Sequence, residues 1–308
     1  MNLPPERRLR GLIAATFTPL HPDGSLNLDL VPALVDQLEA DGVSGLYIVG
    51  STGEGPSLSA AERREVTAAY VQAAKGRLRT VVQVGHNSLA EARGFAEHAQ
   101  EIGAEAISAM PPSYFKPGST RALVDSLAEI ARGAPELPFY YYHIPSLTGV
   151  DPDLEELFSL AAERIPNMAG IKFSDTRLHH LQVAQRFGNG SRDVVFGVDE
   201  MLLGALAFGV RGAVGSTYCF AAPLYLRMIE HVQRGELSEA AQLQARSGEM
   251  VRVIYRHCGR SGLKAVMSLI GLDCGPSRLP QDPLSADAVA RMRAELEEIG
   301  FFDWGRLR

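Results

Sequence analysis

Residues 138–172 read PFYYYHIPSLTGVDPDLEELFSLAAERIPNMAGIK. The two ends, 138–142 and 168–172, are short apolar or aromatic runs, the pattern of buried strands. Between them, Asp151-Pro152 reads as a helix N-cap followed by proline at the first helical position. A strand, a helix and a second strand in this order make one parallel unit with a right-handed crossover. The unit recurs in both directions along the chain. Strands are expected at 11–16, 45–49, 80–84 and 106–109 upstream, and at 193–197 and 212–214 downstream. Val31, Leu34, Val35 and Leu38 mark one face of the first helix. Ser59-Ala-Ala-Glu62 and Ser88-Leu-Ala-Glu91 read as capping boxes opening the next two. Further helices are expected over 120–132, from about 176, and over 201–208. Eight strands, each followed by a helix, close into an α/β fold of the (β/α)8 TIM-barrel type, for which roughly 250 residues suffice. A doubly wound open sheet is the alternative, but no Gly-x-Gly-x-x-Gly follows the first strand. Residues 1–222 are expected to supply the barrel strands and seven helices, and 223–308 the eighth barrel helix plus a C-terminal helical extension. That second part has breaks near Gly235, Gly259 and Gly275 and a last helix over 286–299. No linker divides the two parts, so they form a single structural unit.

The chain has 308 residues, 46% hydrophobic and 21% charged, with a net charge of -6. That is enough apolar material for a full core, and an acidic balance that does not suit nucleic acid as a partner. Arg7, Arg8 and Arg10, beside Glu6, read as solvated terminal charges. Cys219, Cys258 and Cys274 are too scattered for a disulfide framework or a metal site, and the eight histidines show no paired-ligand spacing. No signal-peptide core and no membrane-length apolar run is present, so a cytoplasmic protein without a membrane partner is expected.

In a barrel of this kind the active site lies at the C-terminal ends of the strands. Those ends carry Gly50-Ser-Thr-Gly-Glu-Gly55, Pro111-Pro-Ser-Tyr114, Tyr140-Tyr-Tyr-His-Ile-Pro145, Gly170-Ile-Lys-Phe-Ser-Asp175, Gly197-Val-Asp-Glu200 and Gly215-Ser-Thr-Tyr218. Of the four lysines, only Lys172 ends an apolar strand. A desolvated lysine is partly neutral and can attack a ketone. The resulting imine is an electron sink for breaking a neighbouring C–C bond, which requires no metal or cofactor. The alternative is a lysine that extends outward at a strand end. Tyr142 is a candidate proton carrier, although a strand with three tyrosines could simply favour aromatics. Alternation puts Tyr140 and Tyr142 on one face and Tyr141 on the other. The turn holding Ser51 and Thr52 offers hydroxyls and backbone N–H groups to a carboxylate, or is an ordinary glycine turn. Asp199 and Glu200 could accept hydrogen bonds from several hydroxyls, and Asp199 could equally N-cap the next helix.

Gly50-Ser-Thr-Gly-Glu54, Tyr142-His-Ile-Pro145, Gly170-Ile-Lys-Phe-Ser174 and Gly212-Ala-Val-Gly-Ser216 together resemble the dihydrodipicolinate synthase / N-acetylneuraminate lyase superfamily, in register from about Gly11 to Pro280. Residues 138–150, 170–176, 196–200 and 213–218 are most similar to its lyase branch. The resemblance implies a Schiff-base aldolase releasing pyruvate and N-acetylmannosamine from N-acetylneuraminate. Lys172 would be the Schiff-base lysine and Tyr142 the proton shuttle. Ser51 and Thr52 would hold the keto-acid carboxylate, and Ser174, Gly197, Asp199, Glu200 and Ser216 the sugar-acid chain. It also implies a homotetramer in which a tyrosine, here Tyr114, completes a neighbour's site. Leu147 stands where the synthase pattern has an arginine for a second carboxylate, so the synthase activity is the weaker alternative. Another 2-keto-3-deoxy sugar acid as substrate of an aldolase or dehydratase is a second alternative, and a silent sugar-acid sensor a third. Ser113, where many members have an aromatic, and Arg260, near a phenylalanine of the bacterial lyase pattern, depart from the family.

Overall fold

A computed structural model describes residues 3–305; the outermost ends of the two expected spans, 1–2 and 306–308, lie outside the described residues. Eight parallel strands close into a barrel: β1 (Gly11–Ala15), β2 (Gly45–Ile48), β3 (Arg79–Gln83), β4 (Ala106–Ala109), β5 (Phe139–His143), β6 (Met168–Phe173), β7 (Asp193–Phe196) and β8 (Gly212–Gly215). Each pairs with its sequence neighbour, and β8 returns to β1 through Gly11 opposite Gly212 and Ile13 opposite Val214. The strands alternate between two apolar layers. Ile13, Ala15, Tyr47, Val81, Tyr140, Tyr142, Val195 and Val214 fill the barrel interior, while Leu12, Ala14, Leu46, Ile48 and Tyr141 pack under the helices. Tyr140 and Tyr142 thus share one face, as alternation requires.

β6 departs from simple alternation. Phe139 pairs with Met168, but Tyr140 pairs with Gly170, so the pair β5–β6 carries a bulge at Ala169. Met168 faces the helices and Ala169 the interior, yet Ile171 and Phe173 face the helices again. The bulge therefore reverses the parity of the strand and turns Lys172 inward. Gly170 is required there: a Cβ would lie 1.8 Å from Asp193 O on β7.

Ser59 and Glu62 form the expected reciprocal capping box of helix Ala60–Ala74. Ser88 caps helix Leu89–Glu101 through Glu91 N–H, but its own N–H donates to His86 Nδ1 at 3.0 Å, so the reciprocal half is missing. Asp151 is not an N-cap. Asp153 takes that place for helix Leu154–Arg164, accepting from Glu156 N–H at 2.8 Å, while Asp151 is held by Arg177. Arg8 is not a solvated charge; it is half-buried and donates to Leu3 O at 3.2 Å. Pro223 lies inside helix Tyr218–Gln233 rather than before it, next to a break already present at Ala221. That helix crosses the expected 222/223 boundary. Helices Leu237–Cys258, Ser261–Leu269 and Ala286–Glu298 follow, separated near Gly259 and Gly275 as expected. The three cysteines are free and buried. Among the described residues no helix is long and apolar enough to cross a membrane.

Candidate active site

The strand ends converge on a cavity of about 460 Å³ lined by Ser51, Thr52, Tyr142, Lys172, Ser174, Gly197, Asp199, Glu200 and Ser216, together with Leu147, Arg260 and residues of the C-terminal helices. Nine of the ten expected site residues are therefore brought together. The tenth, Tyr114, is 79% exposed and not part of the cavity wall of its own chain; its N–H donates to Asn87 Oδ1 at 3.2 Å.

Lys172 sits opposite Tyr142 in the β5–β6 pair and is 5% exposed. Its Nζ lies 3.7 Å from the centre of the Tyr47 ring and 4.0 Å from that of Tyr142. The two rings meet edge to face at 5.6 Å and shut the amine off from bulk water. Burial pushes the Lys172 amine below its usual range, against the pull of Tyr142. Burial also works to raise the Tyr142 phenol, but Lys172 and the Ser51 hydroxyl outweigh it and bring the phenol down. Amine and phenol thus behave as a pair able to exchange a proton. Tyr47, whose hydroxyl donates to Ser108 Oγ at 3.0 Å, was not anticipated. It lies one residue inside the strand end, and only its inward parity on β2 signals it.

The Gly50–Gly55 turn begins and ends on left-handed backbone, Val49 at φ 48 and Glu54 at φ 55. For a β-branched residue this conformation is an outlier, held here by the surroundings. The turn is fastened by Thr18, whose hydroxyl donates to Gly53 O at 2.6 Å. Ser51 Oγ stands 3.4 Å from the Tyr142 hydroxyl, and Thr52 Oγ1 2.6 Å from Ser216 Oγ. Glu54 turns away from the cavity and forms a buried ion pair with Lys264 at 3.0 Å.

On the opposite wall, Ser174 Oγ is buried with no hydrogen-bond partner among the described residues, a hydroxyl available to a ligand. A Cβ at Gly197 would lie 2.0 Å from that oxygen, so only glycine leaves it room. Asp199 does not cap its own helix. Its carboxylate reaches across to Thr217 at the start of helix Tyr218–Gln233, accepting from the N–H at 2.9 Å and the hydroxyl at 2.7 Å. Burial nevertheless pushes its pKa up to about 6. Gly215 makes the approach possible, since a Cβ there would collide with the same carboxylate. Glu200 is exposed at the rim. Behind β5, His143, Asp151 and Asp175 bring ligand-type atoms within 4.8 Å of one another. Arg177 already occupies both carboxylates, so this cluster is a salt-bridged brace.

The arrangement is an amine whose pKa burial lowers, a phenol within reach of it, a hydroxyl-lined turn and a polar far wall. It suits covalent capture of a polyhydroxylated keto acid. Comparison with known proteins agrees. The dihydrodipicolinate synthetase family profile matches residues 8–299. N-acetylneuraminate lyase of Rattus norvegicus is 40% identical over 309 residues, 99% of this chain and 97% of that protein. The lyase of Gallus gallus is 41% identical over 302 residues, 96% of this chain and 97% of that protein. The structure of Proteus mirabilis N-acetylneuraminate lyase superposes with a TM-score of 0.92 at 37% identity, covering 96% of this chain and 99% of that one.

Proposed function

The chain belongs to the dihydrodipicolinate synthetase family, and from that premise we propose that it is a carbon–carbon lyase cleaving N-acetylneuraminate through an imine on Lys172. The observation that carries the reading is the buried Lys172 amine, held against the Tyr47 and Tyr142 rings at the foot of a polar cavity. Neutral Lys172 adds to the C2 ketone of the open-chain acid and water leaves, giving an iminium. Tyr142 takes the proton of the C4 hydroxyl. The C3–C4 bond breaks, its electron pair passes into the iminium to form an enamine, and N-acetylmannosamine departs as the aldehyde. Protonation of the enamine at C3 and hydrolysis then release pyruvate and the free amine. Ser51, Thr52 and the backbone of their turn hold the carboxylate. Ser174, Asp199, Glu200 and Ser216 receive the hydroxylated chain, with Gly197 leaving it space. Leu147 offers nothing to a second carboxylate on that side, which disfavours a synthase.

The assembly is inferred to be a homotetramer in which Tyr114 of one subunit closes the cavity of another. The central test is borohydride reduction in the presence of pyruvate followed by peptide mass analysis. One reduced pyruvyl adduct on Lys172, absent in Lys172→Ala, is expected. An adduct on another residue, or none in the native chain, contradicts the reading.

A further inference from the structure

Arg260 is a charged residue of this cavity that the reaction above leaves unused. It follows Gly259, which turns the chain at φ 53 after helix Leu237–Cys258, and it stands at the start of helix Ser261–Leu269. It lines the main cavity and also a small cleft adjoining it. Ser51, Thr52, Arg260 and Leu263 are the residues the two spaces share. Arg260 therefore walls both spaces together with the two hydroxyl-bearing residues of the turn.

Other arginines and lysines around the site are engaged. Arg177 holds Asp151 and Asp175, Arg278 holds Glu62, and Lys264 donates to Glu54 at 3.0 Å and to Pro276 O at 2.8 Å. The Arg260 carbonyl accepts from Leu263 N–H at 3.1 Å, but its guanidinium forms no ion pair or hydrogen bond with the described residues, though Glu200 lines the same cavity. A half-buried guanidinium in that position is one a ligand can engage. The turn itself offers only neutral donors, and the Glu54 carboxylate is directed away from it, accepting from Lys264 at 3.0 Å and from the Arg278 N–H at 2.8 Å.

We infer that Arg260 is the cationic grip on the C1 carboxylate of the keto acid, completing the turn of Ser51 and Thr52; this rests on the aldolase reading. The placement also accounts for an electrostatic sequence. In the empty site the Arg260 charge opposes protonation of Lys172 and so favours the nucleophilic amine. Once the carboxylate is bound, that charge is neutralised. The positive iminium then forms beside a neutral pair instead of beside an uncompensated guanidinium.

The test compares borohydride trapping on Lys172 by pyruvate and by its uncharged ester, methyl pyruvate, in the native chain, Arg260→Gln and Arg260→Lys. Loss of a charge-assisted contact raises the half-saturating pyruvate concentration about 10- to 100-fold in Arg260→Gln. Methyl pyruvate is expected to lose only the share due to the raised Lys172 amine, much less than pyruvate loses, and Arg260→Lys is expected to recover part of the loss. The pH profile of trapping in Arg260→Gln moves to higher pH, because Lys172 loses a repelling neighbour. An unchanged pyruvate half-saturation overturns the assignment and points to an anion elsewhere on the substrate. An equal rise for acid and ester also overturns it, since that reports a disturbed cavity. Absence of any native adduct would instead remove the aldolase reading itself, so the two failures are distinguishable.

Discussion

Asp199 carries a negative charge where the fold resists one. It is 7% exposed, and burial lifts it from the ordinary 3.8 to about 6 despite two hydrogen bonds from Thr217. Below pH about 4 it is protonated in both folded and unfolded chains and has no effect. Between about 4 and 6 the folded chain keeps a proton the unfolded chain has lost, so stability falls as pH rises. Above that window the full penalty, about 3 kcal/mol, applies. Asp199→Asn removes the charge and keeps an oxygen that Thr217 can donate to. Its stability relative to the native chain is expected to improve by up to about 3 kcal/mol between pH 4 and pH 8, measured by urea melts, while cleavage activity drops. Parallel stability curves for the two chains would show that burial does not strain this carboxylate. The same residue shows a limit of reading from sequence. Its place at a strand end was legible, but the partner was not, because Thr217 lies on another element and approaches only where Gly215 leaves space.

At the level of elements, the strands were legible because each is a short apolar run and their ends carry the polar groups. The parity of β6 was not. Strict alternation from Met168 would put Lys172 among the barrel helices, and the bulge at Ala169 is what reverses it. Gly170 is the local trace of that bulge, but its meaning depends on the backbone of β7. The tie between the C-terminal extension and the barrel was equally hidden. Glu54, on left-handed backbone at the end of the Ser51–Thr52 turn, pairs with Lys264 some two hundred residues later in sequence. Both side chains are almost wholly buried. Removing one partner leaves the other charge uncompensated, and Lys264→Met is expected to lose about 3–5 kcal/mol. The double variant Glu54→Gln/Lys264→Met recovers much of this, since no isolated charge remains. Because the pair anchors the Ser51–Thr52 turn, Lys264→Met also weakens trapping by pyruvate. Additive losses in the double variant would mean that the two side chains do not act as a pair.

The whole barrel buries its apolar residues well, which makes one surface feature stand out. Tyr114 and Phe115 are 79% and 84% exposed and pack edge to face against each other at 5.0 Å. Their loop leans toward the cavity rim: Lys116 Cε lies 2.8 Å from where a Cβ on Gly149 would stand, just past the helix Pro145–Thr148. Pro145 and Leu147 of that helix line the cavity. Adjacent exposed aromatics beside a functional opening are suited to contact with another copy of the chain. A closed symmetric assembly would bury them and present Tyr114 to a neighbouring site. Light scattering on the native chain is expected to give a tetramer. Phe115→Glu places a charge in the contact and is expected to yield smaller species with reduced cleavage per subunit. Tyr114→Phe is expected to keep the tetramer and the Lys172 adduct but slow cleavage, because only the hydroxyl is lost. If Phe115→Glu retains both the native mass and the native rate, these rings face solvent in the working enzyme and each barrel completes its site alone.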